Sequence, residues 1–218
     1  MFFDDYQPVD VLMLVGNVAP IALYFLVLGL VNSHSRPYLI TSRADFVALT
    51  CALTPVLLWP VPMFVRSGMT WLLLVGLLLA ASLFTWMFVT TGRGFVIYNA
   101  SQGTCTRLLE AALRQAGLRG TWTDQTWEAD TGILAIHLRR FALLRNVTLH
   151  FDVRDPNAAG LVDQIGGELD RRLGAVAQLP STMGACLVLI GLGLMIVPMW
   201  MVGRHIQDLV DAMSHLFG

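Results

Sequence analysis

The side chains able to do chemistry gather in one polar stretch, residues 92–178, of an otherwise apolar chain. Within it, 133–141 (ILAIHLRRF) and 145–151 (RNVTLHF) alternate apolar with polar residues, the pattern of half-buried strands. Two-residue turns at Thr131-Gly132 and Leu143-Leu144 would set His137 opposite His150, Arg139 opposite Asp124 and Trp122 opposite Phe141. Directly opposed side chains on one sheet face have Cβ atoms ~5 Å apart, close enough to interact. The two histidines, with Asp152 or Glu128 nearby, could ligate a divalent metal. A zinc site takes three or four N, O or S ligands, however, and only two imidazoles converge. Arg139 with Asp124 reads as a cross-strand ion pair on a solvated face. Trp122 and Phe141, aromatic side chains on a polar face, point to contact with a partner. Trp122, Asp124, His137, Arg139, Phe141 and His150 are therefore the expected partner-binding residues, and no catalytic or cofactor-binding residue is expected.

Other chemistries find less support. No lysine is present, which excludes a Schiff base or a P-loop lysine. Ser101–Thr104 (SQGT) sits between a strand and a helix, where a phosphate-binding turn would, but lacks both glycine-rich nucleotide signatures. Cys51, Cys105 and Cys186 are too far apart for a C-x-x-C pair, and two of them lie in apolar runs. No Asp, Glu or Arg lies deep in an apolar run, which disfavours a pump or proton-coupled transporter. A net charge of −1 offers no field for nucleic acid.

The elements that must position these residues are set by composition. The chain is 56% hydrophobic and only 13% charged, too apolar for an ordinary soluble domain. Four apolar runs, about 11–31, 46–65, 69–89 and 182–202, approach the ~20 residues that cross a bilayer. Asn17 and Pro20 interrupt the first; Asn17 is expected to face another helix. In the second, Pro55 is expected to kink the helix and Pro60 and Pro62 to loosen its end. Gly76 with Ala80, and Gly184 with Gly191, are small-residue faces suited to close approach by other membrane subunits. The acidic start MFFDDYQPVD lacks the basic region of a cleaved signal, so the first run is expected to stay as an anchor. After Gly203, Ile206, Leu209, Val210, Met213, Leu216 and Phe217 form an amphipathic helical stripe, suited to the membrane surface or a partner.

The insert itself reads as β-α-β-β-β-α. A strand over 94–99 leads to a helix over 104–116, ended by Gly117, and then to strands over 121–129, 133–141 and 145–151. A last helix, capped by Asp155 with Pro156 following, buries Leu161, Ile165, Leu169 and Leu173. The fold class is thus a four-span α-helical membrane protein with a two-layer α+β domain between spans three and four. Its parts are residues 1–91 in the membrane, 92–178 as the α+β domain, and 179–218 as the last span and C-terminal helix.

Arginine counting gives orientation: Arg36, Arg43, Arg93, Arg171 and Arg172 flank the spans on one side, Arg66 and Arg204 on the other. The domain is expected in the cytoplasm and both termini outside, in a bacterial inner membrane. The leading functional expectation is a non-catalytic accessory subunit of a membrane complex, without cofactor, whose domain docks a partner protein. The alternatives are a membrane-anchored metal-binding sensor or enzyme using His137 and His150, and a channel or facilitator for a neutral solute along the kinked second run.

Overall fold

The computed structural model describes residues 8–59, 61–90, 93–141, 146–155, 158–179 and 181–217. Among the described residues, three helices are long and apolar enough to cross a membrane. They are α1 (Pro8–Ser33), α4 (Thr70–Thr90) and α7 (Thr182–Arg204). The second apolar run is divided instead into α2 (Ser42–Leu58) and α3 (Val61–Arg66). The interruption lies between Leu58 and Val61; Pro60, whose ring leaves no amide to donate, lies outside the described residues. The Trp59 amide already reaches only to the Val56 carbonyl, at 3.3 Å, the tighter pitch of a closing turn.

The α1–α7 pair is the tight helical contact of the molecule. A Cβ on Gly29 would fall 2.7 Å from the Val188 backbone nitrogen, one on Gly184 2.8 Å from the Asn32 carbonyl carbon, and one on Gly191 2.9 Å from the Ala22 carbonyl oxygen. None of these distances is tolerable, so glycine is what lets the backbones meet. The Gly184 and Gly191 face is thus filled by α1 of the same chain. Asn17 turns back onto its own helix instead, its amide donating to the Met13 carbonyl at 2.6 Å. Helix α4 touches α2 near the sheet, where Phe46 stacks on Phe84 at 5.3 Å between centroids. Farther along, a Cβ on Gly76 would meet nothing within 4 Å among the described residues outside its own helix backbone. After α7, α8 (Ile206–Phe217) folds back to meet the ends of α1 and α7.

The α+β domain holds α5 (Gln102–Gln115) and α6 (Ala159–Gly174) on one face of a six-stranded antiparallel sheet. Its strands are β1 (Tyr38–Thr41), β2 (Arg93–Tyr98), β3 (Gly120–Thr123), β4 (Thr126–Ala129), β5 (Leu134–Phe141) and β6 (Asn146–Val153), in the order β1-β2-β6-β5-β4-β3. Alternation puts Leu134, Ile136, Leu138, Val147, Leu149 and Phe151 under the helices, where they are buried with Leu109, Leu113, Ile165 and Leu169. Helix α6 comes so close that a Cβ on Gly166 would sit 2.4 Å from the Phe95 ring. Gly117, at φ 75°, stops α5 as expected, with the Leu118 amide returning to the Leu113 carbonyl. Helix α6 is capped at Ala158 without a side-chain bond rather than at Asp155, and Pro156 lies outside the described residues.

Two strands depart from the expected order. Strand β1 comes from the connection between α1 and α2, and it pairs with β2 from Tyr38 opposite Tyr98 to Thr41 opposite Phe95. The expected single strand over 121–129 is a hairpin, with Asp124 at φ 54° in its turn. Few non-glycine residues take that left-handed conformation, and aspartate is among those that do.

The glycine contacts give a direct test. Gly184→Val should destabilise the detergent-solubilised chain by about 1–3 kcal/mol, as overpacking does. Gly193→Val, at a position with nothing within 4 Å, should leave thermal unfolding nearly unchanged.

Candidate functional site

The outer face of the sheet is turned toward the membrane helices. Ile40, Val96 and Tyr98 on it pack with Leu28 of α1 and Leu187 of α7. Beside that contact, the face stands off from the first turns of α2 and leaves a cavity of about 590 Å³. Its sheet wall is His137, Arg139, Thr148, His150 and Val96; its helix wall is Ser42, Asp45, Phe46 and Leu49.

Strand register places the polar wall. His137 pairs with His150 as expected, their rings 6.3 Å apart and inclined by 27°. The Thr126 hydroxyl lies 3.0 Å from His137 Nδ1 and holds that ring in place. Arg139 is exposed and stands opposite half-buried Thr148. On the other wall, Ser42 is 8% exposed and close over the sheet: a Cβ on Gly94 would come 2.8 Å from its Oγ. Gly94 is therefore the residue that lets α2 begin so near the strand.

Asp45 and Tyr98 join the walls. The buried Tyr98 hydroxyl donates to the Asp45 carboxylate. Burial first, then the bond to Asp45 and its charge, pushes the Tyr98 phenol well above its ordinary value. Behind the sheet, burial pushes the Cys105 thiol up to about 12, which makes it unreactive at neutral pH. On this side the domain is also tied to the end of α1, where the Asn99 amide donates to the His34 carbonyl at 2.7 Å. Asn99 adopts φ 52° to do so.

The expected site is only partly assembled. His137, Arg139 and His150 share the cavity wall. Trp122 is on the opposite face: the hairpin pairs it with Trp127, and its indole donates to Glu110 of α5 at 2.8 Å. Asp124 sits in the hairpin turn and does not pair with Arg139. Phe141 remains on the outer face, 56% exposed, but opposite Asn146 and not Trp122. Asp152 and Glu128, the carboxylates proposed beside the histidines, both bind Arg154, at 3.7 and 2.7 Å. Among the described residues no group of three or more His, Cys, Asp or Glu could hold a metal ion. Asp45, Tyr98 and Ser42 are the site residues that the sequence pattern alone did not single out. The available signal was Asp45 itself, an acid at the mouth of an apolar run, which must find a donor there.

No protein-family model matches the sequence, and no similar curated protein or solved structure was found.

The two upward shifts share a sign. Tyr98 and Cys105 favour their neutral forms more in the folded chain than in the unfolded one. The stability they contribute is complete below pH about 8.5 and declines as alkali rises past the unfolded values of thiol and phenol. Unfolding measured from pH 7 to 11 should show this alkaline loss, with Tyr98→Phe and Cys105→Ala each removing part of it. Near neutral pH, Tyr98→Phe should cost roughly 1.5–3 kcal/mol, the range for a hydrogen bond to a charged group.

Proposed function

We propose that the chain is a non-catalytic accessory subunit of a membrane complex, in which α4 packs against a helix of a partner subunit. The observation that carries this reading is the state of α4. It is 21 residues long, uniformly apolar, and none of its spanning window is buried within the chain. Where this chain brings two spanning helices together, it does so through glycines, at Gly29, Gly184 and Gly191. Gly76 and Ala80 offer the same kind of surface on α4 and are exposed. Lipid tails are as apolar as leucine, so small residues that let backbones approach are what drive helix association in a bilayer.

A four-span arrangement fits this reading. Helix α2 leaves the sheet directly after β1, and α4 returns to it just before β2. At 1.5 Å per residue α4 is about 31 Å long, so α2 and α3 must carry the chain a comparable distance out. The sheet end of the bundle carries Arg36, Arg43, Arg93, Arg171 and Arg172, which favours a cytoplasmic domain and external termini. Trp59, Trp71 and Trp200 fall at the opposite end of their helices, as an interfacial aromatic belt would.

Gentle solubilisation should yield the chain with a stoichiometric membrane partner. Gly76→Ile with Ala80→Ile should release that partner while the chain stays folded, and Leu187→Ile in the α1–α7 contact should not. A wild-type chain that runs alone as a monodisperse monomer contradicts the proposal.

A further inference from the structure

We infer that the cavity between the sheet and α2 is a binding site for one anionic phosphate group, supplied by a phospholipid headgroup of the leaflet beside the domain. This inference does not depend on the accessory role. The cavity holds about 590 Å³, room for a glycerophosphate headgroup, and it lies between the first turns of α2 and the sheet. Ser33 ends α1, Ser42 starts α2, Thr90 ends α4 and Thr182 starts α7, so the polar wall lies at headgroup depth.

The lining is divided as an anionic amphiphile requires. Arg139 offers a guanidinium fork suited to phosphate oxygens. It is exposed on the cavity wall, and among the described residues no carboxylate forms an ion pair with it. His137 and His150 add ring nitrogens, and Thr148 adds a hydroxyl opposite Arg139. The Ser42 hydroxyl is buried in the facing wall and has no partner among the described residues. One carboxylate, Asp45, also lines the space, and its charge is drawn toward Tyr98, which donates to it. The remaining wall is apolar: Phe46 and Leu49 follow one side of α2 away from the sheet, where an acyl chain would lie. A soluble anion would have no use for that apolar wall. Arg140, next along β5, faces away from the outer face because alternate residues on a strand point to opposite sides.

The test uses the full-length chain in detergent, titrated with dioctanoyl phosphatidylglycerol and, separately, dioctanoyl phosphatidylcholine and inorganic phosphate, with binding read by native mass spectrometry. The anionic lipid should bind saturably at one site and more tightly than the zwitterionic one. Arg139→Gln should weaken it about tenfold or more, Thr148→Glu should abolish it by placing a like charge in the site, and Arg140→Gln should leave it unchanged. Leu49→Asn should weaken the lipid and not inorganic phosphate. Inorganic phosphate binding as tightly as the lipid would overturn the headgroup as its source. Equal binding of the two lipids, or full binding by a folded Arg139→Gln chain, would overturn the anion site altogether.

Discussion

The hydrogen bonding of β1 to β2 is the constraint on which the rest of the arrangement rests. Strand β1 is the connection between two helices of the membrane bundle, and β2 opens the α+β domain after α4. Joining them makes the sheet a continuation of the bundle, so the domain cannot swing on its linkers. Alternation along β1 then divides its neighbours: Leu39 goes to the helix-covered core, while Ile40 goes to the cluster with Leu28 and Leu187. A four-residue strand thus stitches two hydrophobic clusters together. Further bonds secure the same corner, from Asn99 to the His34 carbonyl and from the Gln178 amide to the Ser35 carbonyl, and both fasten the domain to the end of α1.

Fixing the sheet in this way decides what its polar face can do. A free domain would present His137, Arg139 and His150 to water and to soluble partners. Here the same residues look across a cavity at Ser42, Asp45 and Phe46 of α2. Polar groups so placed must be satisfied by water, by one another or by a ligand, because leaving them unpaired is costly. Tyr98 and Asp45 satisfy each other. Arg139, by contrast, stays exposed on the wall. The geometry moves the chemical interest of the chain from an outward docking surface to an inward one that faces α2.

Much of this was legible in the sequence, and the rest failed for identifiable reasons. The 133–141 and 145–151 alternation set the His137–His150 pairing and the buried face correctly; the expected turn at Leu143-Leu144 lies outside the described residues. The four-residue spacing of Leu161, Ile165, Leu169 and Leu173 identified the buried side of α6, although Leu161 is only partly buried and Val162 beside it takes the core position. The hairpin at Asp124 was hidden because Thr-Asp-Gln-Thr lacks the Asn-Gly or Asp-Gly step that usually marks such a turn. That single turn moved Trp122 to the other face. Strand β1 was hidden because Tyr-Leu-Ile-Thr is short and sits in a linker, with nothing local to say it pairs with a strand more than fifty residues on. The division of the second apolar run, in turn, follows its prolines.

Amide hydrogen exchange of the intact chain in lipid nanodiscs tests the central claim most directly. If β1 belongs to the sheet, about half of the amides in Tyr38–Thr41, those pointing at β2, should exchange as slowly as those of Arg93–Tyr98. Complete exchange of that segment within seconds, while β2 and β6 remain protected, would show a free loop and contradict the account.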